Sequence, residues 1–314
     1  GNLMRWIRVT ALLTVVLLLF GCSSAVVGRV GEEEIKQADV DKRIAVFKLF
    51  SPNFDASAVE RADIVDQLLD EKIVVVEAYK QGIRVKDEEV EAALAEVKKS
   101  LETQFGDEKK TNSALKKFNL TMDDLKEIVE NNLKTQQLYT KVTAEVKVAD
   151  EEVQKCYQDH LNEFQLPEEV KASHILVKEE KLAQELRERL EKGEDFAALA
   201  KEYSTDQGSR ENGGQLGYFP AGKMVPEFDQ AAFSTPVGQL SPVTKSQFGY
   251  HIIKVEDKKP ARTQTLEEVK SFLAMQLESQ KRDQEFWTFF EEIKTKYKPE
   301  NKLAPDKTSE QNQK

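Results

Sequence analysis

Histidine and cysteine are scarce in this chain, and their scarcity argues against several kinds of site. The 314 residues include three histidines and two cysteines, Cys22 and Cys156. One internal disulfide is the most that two cysteines allow, and none remains if Cys22 is modified. No local run of His, Cys and Glu has the spacing of a zinc site, although two separated histidines together with Asp206 remain a minor alternative. We therefore expect no metal and no other cofactor.

The third histidine lies close to a cysteine, which raises the alternative of a nucleophilic site. His160 follows Cys156 by four residues, so the two side chains can meet on one face of a helix. A catalytic cysteine needs a base at such a distance. The spacing alone is weak support, and the simpler interpretation is that Cys156 packs as an ordinary helix residue.

An excess of positive charge is also missing. The chain has 46 Lys and Arg against 56 Asp and Glu, for a net charge of -10. Nucleic acid is therefore disfavoured as a partner, because binding to phosphates depends on clustered positive charge. Charged residues at 32% and hydrophobic residues at 39% are typical of a largely helical soluble body. The length is sufficient for two domains.

Long apolar runs are absent except at the N-terminus. Two arginines precede an apolar segment over residues 9–20. Because about 20 apolar residues are needed to span a bilayer, this segment predicts a signal peptide over residues 1–21 and not a membrane helix. Residues 19–22, Leu-Phe-Gly-Cys, resemble a bacterial lipobox, which implies lipidation of Cys22. The alternative is a plain secretory signal with an incidental cysteine.

The lipobox resemblance implies a location at the cell envelope. The two residues after Cys22 are serines, and neither is the aspartate that would retain a lipoprotein in an inner membrane. We expect an outer-membrane anchor facing the periplasm in a Gram-negative cell, or an anchor on the outer face of the cell membrane in a Gram-positive one.

The two remaining histidines lie in short runs rich in β-branched residues, which are typical of buried strands. Residues 172–177 read Ala-Ser-His-Ile-Leu-Val and include His174, and residues 249–255 read Gly-Tyr-His-Ile-Ile-Lys-Val and include His251. Side chains alternate along a strand, so each histidine shares a face with apolar second neighbours.

Between these strands the sequence is rich in glycine and aromatic residues. It reads Tyr-Ser-Thr-Asp at 203–206, Gly-Gly-Gln-Leu-Gly-Tyr-Phe at 213–219 and Met-Val-Pro-Glu-Phe at 224–228. In this order, between an opening His-Ile-Leu and a closing Phe-Gly-Tyr-His-Ile-Ile, these motifs resemble the parvulin family of peptidyl-prolyl cis/trans isomerases. The resemblance covers about residues 168–257 and implies a small antiparallel sheet wrapped by helices.

The parvulin resemblance also implies which residues form the site. Five apolar residues are expected to line a slot for the prolyl ring: Leu216, Phe219, Met224, Phe228 and Phe248. Three polar residues are expected to form the catalytic cluster behind it: His174, Asp206 and His251. Ser204 or Thr205 is expected to complete the hydrogen bonds. Two alternatives stay open, since the apolar residues can be plain core and the histidines can either shape the site or polarise the amide.

The rest of the chain is predicted to be helical. Apolar periodicity predicts helices over residues 37–50, 57–79, 87–104, 121–142, 150–164 and 266–297. With the parvulin segment, this arrangement is similar to the extracytoplasmic chaperone-isomerases of the SurA and PrsA type. The expected fold class is α+β, with five segments: signal peptide 1–21, helical N-terminal chaperone-like domain 22–166, parvulin domain 167–258, C-terminal helix 259–298 packing on the N-terminal domain, and disordered tail 299–314.

Together these resemblances imply an isomerase that is also a chaperone. The expected partners are unfolded or partly folded exported polypeptides that contain Xaa-Pro bonds, and the membrane through a lipid on Cys22. The alternative is a holding chaperone whose parvulin module binds clients without catalysis. The sequence predicts no oligomeric state.

Overall fold

A computed structural model of the chain describes residues 24–305. The predicted signal peptide over 1–21 and the predicted lipidation site Cys22 lie outside the described residues, as do residues 306–314. Within the described part, no helix combines the length and the apolarity needed to cross a membrane.

The described residues form helices and strands in the mixture expected for the α+β class. The helices are α1 (Gln37–Phe50), α2 (Arg61–Lys80), α3 (Asp87–Phe105), α4 (Glu108–Lys117), α5 (Met122–Val142), α6 (Asp150–Asp159), α7 (Glu180–Glu191), α8 (Phe196–Tyr203), α9 (Pro226–Ser234) and α10 (Leu266–Tyr297). The strands are β1 (Val26–Val30), β2 (Glu33–Lys36), β3 (Gln165–Leu166), β4 (Glu169–Val177), β5 (Gln215–Pro220), β6 (Thr244–Ser246), β7 (Gly249–Lys259), β8 (Arg262–Thr263) and β9 (Glu300–Asn301).

The described chain divides into two compact units. The first contains the residues up to Lys147 and those from Glu278 onward, and the second contains Val148–Leu277. The second unit therefore extends beyond both ends of the expected parvulin domain. Its additional core contains Val153 after the start of α6 and Leu273 in the first part of α10, which pack in one cluster.

Helix α2 lies at the centre of the larger core of the first unit. Ile64, Leu69 and Ile73 are fully buried on its apolar side. They pack in one cluster with residues of the β1–β2 hairpin and α5, and with Phe290 and Ile293 from the second half of α10. Apolar burial of this kind contributes about 25 cal/mol for each Å² removed from water, so this core is the main source of the unit's stability.

A short C-terminal strand completes the small sheet of the first unit. Strand β9 pairs antiparallel with β1, and Asn301 Nδ2 donates to Ala62 O and to Asp66 Oδ1, each at 2.8 Å. The prediction of disorder from residue 299 is therefore wrong for Glu300–Asn301. Composition did not reveal this strand because backbone pairing at a sheet edge needs no apolar side chain.

The second unit contains an antiparallel sheet with the strand order β5-β4-β7-β6. Helices α7 and α8 cover one face, where Ile175 and Ile252 are fully buried. Helix α9 packs on the other face against Ala172 and Ile253. The predicted small antiparallel sheet wrapped by helices is confirmed.

Candidate active site

The pairing of β4 with β7 brings two histidines together on one face of the sheet. His174 lies opposite Ile253, and His251 lies opposite Leu176, so the histidines are diagonal neighbours. Both side chains are buried. Their Nδ1 atoms are 3.1 Å apart, within hydrogen-bonding distance.

Asp206 reaches this pair from the loop that follows α8. The loop is held to the end of β4, because Thr205 N–H donates to Leu176 O at 2.7 Å and Ser204 Oγ accepts from Leu176 N–H at 3.2 Å. Asp206 Oδ2 then lies 2.7 Å from His174 Nε2. Ser204 and Thr205 thus tether the loop by bonds to the backbone, and within residues 24–305 neither is hydrogen-bonded to a histidine side chain.

Two buried serines that the sequence analysis missed complete the cluster. Ser246 Oγ lies 2.6 Å from His251 Nε2, and Ser209 Oγ donates to Asp206 Oδ2 at 2.5 Å. Ser209 follows Asp206 in the run Asp-Gln-Gly-Ser, where a turn led by aspartate is expected. Ser246 ends β6 at the hairpin that leads into β7. The aspartate turn and the hairpin were the signals that could have indicated them.

When both histidines are neutral, the contacts allow only one direction for the hydrogen bonds. An ionised Asp206 only accepts, so His174 donates from Nε2, and a neutral His174 then presents an unprotonated Nδ1. His251 Nδ1 therefore donates to His174, which leaves His251 Nε2 to accept from the Ser246 hydroxyl. Phe248 N–H donates to Ser246 Oγ at 3.1 Å and is the first donor of this hydrogen-bond chain. In this arrangement each imidazole has one tautomer.

The electrostatics agree with a neutral His251 and an ionised Asp206. Burial and the neighbouring His174 lower the pKa of His251 to about 4, so His251 is neutral at neutral pH. Burial acts to raise the pKa of the Asp206 carboxyl, but the hydrogen bonds from Ser209 and His174 outweigh it and the pKa lies below its ordinary value. At neutral pH Asp206 is therefore ionised.

Phe228 joins the polar cluster to an apolar one. Its ring lies edge-on to His174 and to His251, with centroids 5.5 and 5.2 Å away. Four of the five residues predicted for the proline slot lie in this apolar cluster: Leu216, Phe219, Met224 and Phe228. Phe219 and Phe228 are buried, whereas Leu216 and Met224 are half-buried.

The fifth predicted slot residue stands apart from the apolar cluster. Phe248 is 60% exposed at the turn between β6 and β7. Its backbone N–H is bonded to Ser246, so its ring is carried on the same turn as the polar cluster. The proline slot itself remains a prediction for all five side chains.

Cys156 and His160, considered above as a nucleophile and its base, lie in the same unit but outside this polar cluster. Cys156 Sγ is 3.8 Å from His160 Nδ1, while the same nitrogen is 2.8 Å from Cys156 O. The shorter contact uses Nδ1 as a donor to the backbone at the end of α6, so that nitrogen is not a base for the thiol. Across residues 24–305, no group of three or more His, Cys, Asp and Glu side chains could hold a metal ion.

Two family models match this chain. The PPIC-type PPIase domain matches residues 159–259, and the SurA-like N-terminal domain matches residues 3–139.

The chain is also similar to curated proteins and to solved structures. The foldase protein PrsA of Caldanaerobacter subterraneus subsp. tengcongensis is 43% identical over 196 residues, which cover 62% of this chain and 56% of that protein. The foldase protein PrsA of Geobacillus kaustophilus is 36% identical over 221 residues, or 70% of each chain. Among solved structures, the peptidylprolyl isomerase PrsA of Bacillus anthracis aligns with 74% of this chain and 96% of its own at 28% identity, with a TM-score of 0.30.

Proposed function

This chain belongs to the PrsA foldase family, and we propose that it catalyses cis/trans isomerisation of Xaa-Pro bonds in exported polypeptides that have not yet folded. The second unit carries the peptidyl-prolyl isomerase domain. The first unit carries a SurA-like domain, to which we assign the holding of the unfolded client.

Prolyl isomerisation makes and breaks no covalent bond. Rotation is slow because amide resonance is lost at the twisted transition state, a barrier of roughly 18–20 kcal/mol. The enzyme has to bind the twisted amide more tightly than the planar one. Leu216, Met224 and Phe228 hold the prolyl ring while the preceding carbonyl group rotates.

The polar cluster supplies the electrostatic part of this preference. A planar amide places partial negative charge on its carbonyl oxygen, and a fixed anion close to that oxygen disfavours the planar form. Asp206 is the anionic end of the hydrogen-bond chain, and 29% of its side chain is exposed. Both histidines are already bonded on each ring nitrogen, so their role is to hold Asp206 and Phe228 in place.

The observation that carries the proposal is the contact of Phe228 with both histidines. Edge-on packing at 5.2 to 5.5 Å joins the half-buried apolar surface to a charged, oriented cluster within one small sheet. A core built for stability alone would not need a partly exposed carboxylate beside its apolar residues.

The experiment is an NMR exchange assay with an Ala-Pro peptide and the chain from Ser23 onward. Wild type is expected to accelerate exchange, and Met224→Ala is expected to lower kcat/KM about tenfold, because side chains in an apolar pocket contribute on the order of 1–3 kcal/mol to recognition. Met275→Ala is the matched control, since Met275 is 63% exposed on α10. If wild type shows no acceleration but still suppresses client aggregation, the alternative of a non-catalytic holding chaperone is correct.

The proposal includes a lipid anchor on Cys22, which lies outside the described residues. Its support is the order of arginines, apolar segment and Leu-Phe-Gly-Cys in the sequence. Cys22→Ala is expected to move the protein from the membrane fraction to the soluble fraction, whereas Cys156→Ala leaves it in place. Mass spectrometry of an unmodified Cys22 in membrane-fractionated wild type would contradict the anchor.

A further inference from the structure

Ser209 is connected to His174 by its side chain. Its hydroxyl donates to Asp206 Oδ2 at 2.5 Å, and the same oxygen accepts from His174 Nε2 at 2.7 Å. Within the described part of the chain, Asp206 Oδ1 accepts only from Gly208 N–H, at 3.2 Å. Two donors thus converge on the one oxygen that ends the hydrogen-bond chain.

Ser209 is also connected to His174 by the backbone. Gly214 N–H donates to Ser209 O at 2.8 Å, and His174 N–H donates to Gly214 O at 2.9 Å. A closed ring of hydrogen bonds therefore runs through His174, Asp206, Ser209 and Gly214. Ser209 is 2% exposed, so its hydroxyl is shielded from competing water.

The second donor to Asp206 Oδ2 helps to fix the direction of the hydrogen-bond chain. A protonated Asp206 would donate to His174 Nε2 and force the His174 proton onto Nδ1. That proton would then face the Nδ1–H of His251, so both histidines would have to change tautomer. A hydroxyl that donates to Oδ2 stabilises the carboxylate and opposes this reversal.

We propose that Ser209 is a positioning residue for the isomerase: it holds Asp206 as an oriented acceptor and thereby fixes the direction of the hydrogen-bond chain. This inference deepens the proposed function and rests on it. Ser209 acts through Asp206 and does not contact the substrate.

Among the described residues, His174 and Ser209 are the side chains that donate to Asp206 Oδ2. The titratable group that faces Asp206 is His174 on β4, with His251 on β7 behind it. On the loop of Asp206 itself, the remaining donor is Gly208 N–H, which binds the other carboxylate oxygen. Removal of the hydroxyl therefore leaves His174 as the donor to Oδ2.

The test measures kcat/KM by NMR exchange from pH 3 to 8 for wild type, Ser209→Ala and Ser209→Thr. Ser209→Ala is expected to lower kcat/KM about tenfold at pH 7, because a hydrogen bond to a charged group is stronger than one between neutral groups. Its loss of activity in acid should begin about one pH unit higher than in wild type, because the carboxylate has lost a donor. Ser209→Thr, which keeps the hydroxyl, should restore the wild-type pH profile.

Ser241→Ala is the matched control. Ser241 is a fully buried serine of the same unit whose hydroxyl donates to Pro242 O. This variant should lose stability but keep the wild-type pH profile. If Ser209→Ala has the wild-type pH profile, with or without reduced activity, Ser209 is an ordinary core residue and the inference is wrong.

A second measurement does not depend on a variant that folds. Nitrogen-15 NMR of wild type at pH 7 should find His174 protonated at Nε2 and unprotonated at Nδ1, and the opposite tautomer would overturn the inference. This measurement also separates the two proposals. If wild type does not accelerate exchange, the isomerase proposal fails, while the His174 tautomer in wild type and Ser209→Ala still decides the role of Ser209.

Discussion

Burial of the His251 ring sets the charge state of this side chain. Its pKa of about 4 lies well below the ordinary value of 6.5 because the folded chain removes the ring from water and places it beside His174. The fold therefore favours the neutral imidazole. Unfolding releases this constraint, so the unfolded chain takes up a proton at His251 below about pH 6.5.

We expect the free energy of unfolding to fall in acid over a defined pH range. The contribution of His251 is fully present above about pH 6.5 and is lost as the pH falls through about 4, in total about 3 kcal/mol. Asp206, whose pKa is also lowered, adds a loss of the same sign at lower pH. Proton NMR of the His251 ring gives its pKa directly, and titration near 6.5 would contradict the account.

Among the residues of the polar cluster, the sequence predicted the aspartate and the two histidines but not the two serines. His174, Asp206 and His251 lie in motifs that resemble the parvulin family, and the structure brings all three into one chain of bonds. Ser209 and Ser246 are common polar residues in loop and hairpin positions. Their roles follow from the path of the loop onto β4 and from the β6–β7 pairing, which spacing does not specify.

The loop from Asp206 to Gly214 is the element on which the site depends most. Gly214 has a φ of +82°, and a Cβ at this position would lie 2.3 Å from His174 O. Two constraints therefore act at once, a backbone conformation that favours glycine and a direct approach to β4. The His174 N–H to Gly214 O bond depends on both.

Gly214→Ala is expected to push the loop away from β4 and lower kcat/KM about a hundredfold, since displacements near 1 Å have effects of this size. Gly193→Ala is the matched control, because Gly193 has a φ of +96° and a Cβ there would meet no atom of the described chain within 4 Å. The control should lose only about 1 kcal/mol of stability from backbone strain and keep its activity. Equal activity losses in the two variants would contradict a specific role for the approach to β4.

The long helices were predicted well, whereas two short elements were missed. The predicted helices at 37–50 and 266–297 coincide with α1 and α10. The predicted helix at 121–142 corresponds to α5, which Thr121 caps together with Asp124. Helix α4 was missed because it is short and buries little more than Ala114 and Leu115. Strand β9 was missed because its pairing is made by the backbone.

At the scale of the whole molecule, catalysis and holding are assigned to different units. A cleft of about 330 Å³ in the first unit is lined mainly by apolar side chains of α1, α3 and α5. Phe50, at the end of α1, is 40% exposed in it. We assign this cleft to an apolar stretch of an unfolded exported client, because the SurA-like domain lies in this unit.

Phe50→Ser is expected to raise the concentration of chain needed for half-maximal suppression of client aggregation about fivefold, which corresponds to loss of ~1 kcal/mol of apolar contact. Tyr79→Ser is the matched control, since Tyr79 is a 66% exposed aromatic residue outside the cleft. Both variants should keep wild-type kcat/KM on a proline peptide. If Phe50→Ser suppresses aggregation at the same concentration as wild type, the cleft does not bind the client.

The most direct test of the account is the refolding rate of an exported protein whose slow phase is limited by prolyl isomerisation. Wild-type chain at substoichiometric concentration is expected to shorten this phase, which takes tens to hundreds of seconds uncatalysed. Met224→Ala is expected to lose most of the acceleration while keeping the suppression of aggregation. A slow phase of unchanged length, with a raised yield of folded protein, would contradict catalysis and leave a holding chaperone.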